Sequence, residues 1–163
     1  MAERLFHVAP TATEITALPA DELLRIIAPS TFAIRKVEQI QTIARRVEEE
    51  FGGELPCDRE LILSFVGVGI KCANLTLGIA CDEERMSVDV HVHRIANRWG
   101  YVKTASPEAT TVALEDKMPP RFWLRTNALL VPFGKHICTG QLPHCSTCPV
   151  QEICAQVGVT RHR

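Results

Sequence analysis

Four cysteines crowded near the end of the chain constrain its folding more than any other feature. They read Cys138-x6-Cys145-x2-Cys148-x5-Cys154. Thiolates this close in sequence can converge on one centre, and four of them satisfy a zinc ion or an iron–sulfur cluster. Structural zinc sites more often bring two tight Cys-x-x-Cys pairs, whereas here one pair stands between wider arms. On this chemistry the two metals stay close to even. The other three of the seven cysteines, Cys57, Cys72 and Cys81, are scattered. An odd count in a chain with no secretory pattern at its start argues against a disulfide framework and for a reducing compartment. These three are therefore expected to be ordinary buried thiols.

The rest of the chain has to supply a body for that loop. At 163 residues it is one domain or at most two small lobes, and 46% hydrophobic against 23% charged residues is the balance of a globular protein. No apolar run approaches the roughly 18 residues that span a bilayer. Short apolar-periodic segments dominate. Residues 35–51 repeat Val37, Ile40, Ile43, Ala44, Val47 and Phe51 at three- and four-residue steps before Gly52-Gly53, which predicts a helix with a glycine stop. Further helices are predicted over 21–27, after Asp58, over 70–80, over 90–99 behind an Asp89 cap, after Ser106-Pro107, and over 121–133. Val90-His91-Val92-His93 alternates and on its own is compatible with a strand. Without sustained alternation elsewhere, the chain reads as all-α.

Three further groups carry chemistry. Gly67-Val68-Gly69 lies between two predicted helices, a turn able to offer backbone N–H groups and a helix start to a phosphate. An ordinary interhelical turn has the same pattern. Lys71 stands one turn beyond. A protonated surface amine is no nucleophile, so Lys71 matters only if it loses its proton beside the hairpin with a carboxylate near. Asp89, also the expected helix cap, is the candidate carboxylate. His91 and His93 are two apart and cannot share one metal from a helix. Arg94, Arg98 and Lys103 form a modest basic run around Asn97, Trp99 and Tyr101, which reads as a solvated face or a phosphate contact. The net charge is only −1, and the acidic excess lies in residues 1–70, so an anionic partner is expected at the middle and C-terminal parts.

Taken jointly, the hairpin with its lysine, the later aspartate and the cysteine run resemble the endonuclease III family of DNA glycosylases, the helix–hairpin–helix, Gly/Pro-Asp superfamily. Phe65-Val-Gly-Val-Gly-Ile-Lys-Cys-Ala-Asn74 is similar to the family's Leu-Pro-Gly-Val-Gly-Arg-Lys-Thr-Ala-Asn. Val88-Asp89-Val-His91-Val-His-Arg94 is similar to Val-Asp-Thr-His-x-x-Arg, and the cysteine spacing is the family's own. The resemblance runs from about Leu5 to Cys154.

The resemblance implies a two-lobed helical glycosylase fold, with lobes at 1–88 and 89–163 and a [4Fe–4S] cluster on Cys138, Cys145, Cys148 and Cys154. It implies base excision repair of oxidised pyrimidines in double-stranded DNA, with Lys71 as nucleophile, Asp89 as its carboxylate and strand nicking by β-elimination. Gly67, Val68, Gly69, His91 and Arg94 become candidate DNA contacts. Phe32 becomes a candidate wedge for the gap left by a flipped nucleotide, with core packing as the other reading. A monomer working in a bacterial-type cytoplasm, without a membrane, is expected. Where the family has Pro and Arg beside the hairpin this chain has Val66 and Ile70, where it has Thr after the aspartate there is Val90, and residues 139–144 carry no Lys or Arg. The pattern also begins about two helices late. A non-catalytic iron–sulfur DNA-binding module that needs an N-terminal segment is the alternative, and a zinc-stabilised interaction domain a third.

Overall fold

The computed structural model describes residues 2–163, which form nine α-helices and three short 3-10 turns, with no β-strand among them. The all-α expectation holds. The chain divides into two compact units, Met1–Val68 and Gly69–Arg163.

The first unit holds α1 (Ala2–Val8), α2 (Ala12–Ala17), α3 (Ala20–Ile27), α4 (Ala33–Phe51) and α5 (Arg59–Ser64). Its centre is α4, against which α2 and α3 lie. Leu5, Ala9, Leu23, Ile27 and Val37 make one buried cluster. The periodicity over 35–51 buries Val37, Ala44 and Val47 on one face, and Gly52 closes the helix at φ 61°. The helix begins unusually: its N-cap is Phe32 in the left-handed region, φ 57° and ψ 39°. The Phe32 ring is 78% exposed. Two short helices, α1 and α2, lie outside the helices expected from the sequence. The second is marked by a capping box, in which the Thr11 hydroxyl accepts the Glu14 N–H at 3.2 Å and Glu14 returns to Thr11 N–H at 3.0 Å.

The second unit holds α6 (Ile70–Ala80), α7 (Val90–Arg98), α8 (Pro107–Lys117) and α9 (Trp123–His136), then the cysteine loop. Met86, Val88, Val92, Ala96, Val102 and Leu114 form its buried centre. The alternating 90–93 segment is helical. Asp89 caps it, and Val92, Ile95 and Ala96 fall on one buried face, a helical period that outweighs the local alternation. The last helix begins at Trp123, after a 3-10 turn over Pro120–Phe122, and continues through Pro132 to His136. Phe133 meets the Trp99 ring edge-on at 6.0 Å, which holds the helix past its proline.

The division differs from lobes at 1–88 and 89–163. Residues 69–88 belong with the second unit because Met86 and Val88 pack into its buried centre with Val92, Ala96 and Leu114, and Asn127 of α9 donates to the Ser87 carbonyl at 3.3 Å. The three scattered cysteines also depart from expectation. Cys57 and Cys81 are each disulfide-bonded, and Cys72 is an exposed thiol. None of the three is a buried free thiol.

Candidate active site

The hairpin turn comes directly after α5. Phe65 is buried beneath the Arg46 guanidinium, 4.9 Å from the ring centre, and its carbonyl accepts the Val68 N–H at 3.1 Å. Gly67 has φ +77°, and a Cβ there would run into the side-chain amide of Gln39. Glycine is required at this position by conformation and by space. Gly69 caps α6 with no side-chain hydrogen bond. The first N–H groups of α6 are therefore left for an external acceptor, the property the Gly67, Val68 and Gly69 pattern suggested.

Lys71 is the second residue of α6 and is half-buried. Asp89 caps α7, where one carboxylate oxygen accepts the N–H of His91 at 2.9 Å and of Val92 at 3.0 Å. No ion pair joins Lys71 to Asp89 among the described residues, where the ion pairs are Arg25–Asp21, Arg46–Glu50 and Arg85–Glu83. Both residues belong to the second unit. Their backbones are linked through Ser87, two residues before Asp89 and hydrogen-bonded to Lys71.

Cys138, Cys145, Cys148 and Cys154 line one pocket with Trp99, Phe133, Ile137 and Pro143. The Cys145 thiol is pushed up from its ordinary value, by burial first and then by the neighbouring Cys138, Cys148 and Cys154. The same four sulfurs thus share one electrostatic neighbourhood. Among the described residues no three Cys, His, Asp or Glu side chains converge tightly enough to chelate a single ion. Donors already point at two of the sulfurs: Arg98 reaches the Cys138 Sγ at 3.4 Å, and the Gln156 N–H reaches the Cys154 Sγ at 3.4 Å.

Two members of the basic run, Arg94 and Arg98, turn inward to serve this loop. Arg94 donates to the Cys138 carbonyl at 3.1 and 2.8 Å, to the Gly134 carbonyl at 2.8 Å, and lies 3.1 Å from His91 Nδ1. Burial, then the charge of Arg98, lowers the Arg94 guanidinium from its usual value. Arg98 adds bonds to the Thr139 carbonyl at 2.6 Å and the Gly140 carbonyl at 2.9 Å. These bonds tie α7 to the carbonyls of Gly134 and Cys138, so Arg94, expected as a DNA contact, is also a clamp between α7 and the first cysteine. His91 lies in the same seam, against Gly134. His93 is elsewhere, 2.6 Å from the buried Thr110 hydroxyl. The exposure of Phe32 removes the core-packing reading for that ring.

Three residues escaped the sequence reading. Asn74 and Asn127 are buried carboxamides that hold the segment before Asp89. Gly134 is a point of close approach between α9 and α7, since a Cβ there would lie 2.8 Å from the His91 Cβ. An asparagine inside an apolar helical stretch was the available signal for the first two.

Comparison with known proteins places this geometry. Residues 1–120 match the model of the HhH-GPD superfamily of base excision DNA repair proteins. The chain is 38% identical over 152 residues to Endonuclease III of Thermotoga maritima, covering 93% of this chain and 71% of that one. It is 43% identical over 145 residues to Endonuclease III homolog 2, chloroplastic, of Arabidopsis thaliana, covering 83% of this chain and 38% of that protein. With Endonuclease III-like protein 1 of Gallus gallus the identity is 39% over 154 residues, covering 93% and 55%. The chain thus spans about half or less of its plant and avian relatives. A solved non-covalent endonuclease III–DNA complex superposes with a TM-score of 0.81 at 29% identity, covering 95% of this chain and 73% of that one, and a trapped covalent endonuclease III–DNA intermediate matches equally.

Proposed function

Since the chain belongs to the endonuclease III family within the HhH-GPD superfamily of base excision DNA repair proteins, we propose that it is a DNA glycosylase with AP lyase activity acting on oxidised pyrimidines in double-stranded DNA. The observation that carries this reading is the joining of Lys71 and Asp89 in one unit through the Ser87 bond, at the end of a glycine hairpin with uncapped N–H groups.

The work is divided among a handful of residues. The uncapped N–H groups at the start of α6, behind the Gly67-Val68-Gly69 turn, hold a backbone phosphate, while Phe32 fills the stack vacated by the flipped nucleotide. The Lys71 amine attacks the sugar C1′ as the bond from C1′ to the base nitrogen breaks, the electron pair and a proton leaving with the base. Asp89 has a second oxygen outside the cap, available to take the lysine proton or to balance positive charge on the sugar. Ring opening gives a Schiff base between Lys71 and C1′. Loss of a C2′ proton and of the 3′ phosphate then nicks the strand, and water releases the lysine. A DNA substrate puts the working place wherever the chromosome lies; among the described residues no helix is long and apolar enough to cross a membrane.

The four cysteines fit a [4Fe–4S] cluster. All four line one pocket, and donors already face two of the sulfurs. When bound, the cluster would cross-link the C-terminal loop by four iron–sulfur bonds.

Borohydride trapping on abasic-site duplex tests the reading. The intact chain is expected to form a covalent adduct and Lys71→Ala none, with iron and acid-labile sulfide present and zinc negligible. Iron-loaded protein that binds DNA without an adduct would instead support a non-catalytic module.

A further inference from the structure

The second unit is apolar at its centre, yet a polar seam runs through it beside the reactive pair. Asn74, only 5% exposed, projects from α6 and donates to the Met86 carbonyl at 2.7 Å. Asn127, 7% exposed, projects from α9 and donates to the next carbonyl, that of Ser87, at 3.3 Å. The Ser87 side chain, wholly buried, returns to the Lys71 carbonyl at 3.1 Å. Two successive carbonyls of one short segment are thus held by carboxamides from two different helices. That segment leads into Asp89 within three residues.

Stability alone does not call for this arrangement. Apolar side chains fill the neighbouring positions, with Leu77 and Val92 fully buried. A leucine at 74 or 127 would bury as much surface. The asparagine at 74 even carries a penalty, because its Oδ1 is buried with no hydrogen-bond partner. Directional bonds do what apolar contact does not: they fix a distance and an angle. Here the quantity fixed is the offset between the α6 backbone at Lys71 and the α7 cap at Asp89.

We propose that Asn74 and Asn127 are positioning residues, a pair of buried carboxamide clamps that set Lys71 and Asp89 at the separation the reaction needs. This rests on the proposed lyase chemistry but concerns residues outside it. Neither asparagine meets the DNA or the reacting atoms; each acts through the 86–89 backbone. Misplacement of a reacting group by about 1 Å lowers a rate by on the order of 100-fold, so a loosened clamp is expected to act on the chemical step and not on binding.

The experiment is single-turnover borohydride trapping on abasic-site duplex, beside binding to the same duplex carrying a tetrahydrofuran analogue that cannot react. In Asn74→Leu and Asn127→Leu the trapping rate constant is expected to fall about 10-fold or more, with adduct amplitude and analogue binding kept within about twofold. A purely structural role would lower amplitude and helicity together and leave the rate constant of the folded fraction unchanged, which overturns the proposal. Should the leucine variants not fold, Ser87→Ala decides, with a severalfold slower rate expected and an unchanged rate overturning it. Amide exchange at His91 and Val92, whose N–H groups Asp89 caps, gives an activity-free readout. Exchange is expected to quicken in Asn127→Leu, and no change there counts against the clamp. Absence of any adduct with the unmodified chain strikes the lyase reading, and the exchange data then judge the clamp alone.

Discussion

One oxygen of Asp89 accepts the N–H groups of His91 and Val92, at 2.9 and 3.0 Å, and that geometry lets the cap be separated from the charge. Asparagine caps helices about as well as aspartate, whereas alanine loses about 1 kcal/mol. Asp89→Asn is therefore expected to keep its thermal midpoint and lose borohydride trapping, while Asp89→Ala loses both. Thermal denaturation of the two variants beside the trapping assay checks this, and equal midpoints would show that the cap is unimportant. The cap was legible in the sequence because aspartate is a favoured N-cap residue and stands directly ahead of the helical period that starts at Val90. The internal bonds of Arg94 were not. A guanidinium beside histidine and other basic residues reads as a phosphate contact, and only the fold brings the carbonyls of Gly134 and Cys138 to it.

At the scale of elements, α7 and α9 meet at Gly134, and the meeting point explains why the first cysteine is well placed. A Cβ at Gly134 would lie 2.8 Å from the His91 Cβ and 3.1 Å from the Arg94 guanidinium. Gly134→Ala is expected to destabilise the chain by about 1–3 kcal/mol through overpacking. Gly140, which has nothing within 4 Å of such a Cβ, supplies the control, since Gly140→Ala should leave the thermal midpoint in place. Helix 35–51 was readable because its period is long and its glycine stop explicit. The seven-residue α1 offered one buried residue, Leu5, too little for a periodic pattern to emerge. The 90–93 alternation shows the opposite problem, a local pattern that tertiary burial overrides.

The whole molecule carries a net charge of −1, and its family partner is a polyanion. Part of the basic run is committed internally, so turn N–H groups have to supply much of the grip on phosphate. Each phosphate neutralised by a cation contributes about −0.9 to the slope of log K against log salt, so binding to an analogue duplex is expected to show a slope shallower than about −4. Anisotropy titrations across a range of salt check this; a slope near −8, in the same terms, would mean that a basic surface dominates. The family was legible at this scale from motif spacing. The division into Met1–Val68 and Gly69–Arg163 was not, because it depends on the packing of Met86 and Val88 against later helices and on the bond from Asn127 to Ser87. One last feature bears on how such a chain is engineered. Phe32 holds a left-handed backbone at φ 57° with its ring mostly in water, a conformation that disfavours residues with a Cβ by about 1–2 kcal/mol. Phe32→Gly is expected to keep or raise the melting temperature while weakening binding to abasic duplex, measured side by side. A heat-tolerance screen run without DNA would therefore select against this ring, and any library meant to harden the protein has to be sorted on damaged duplex.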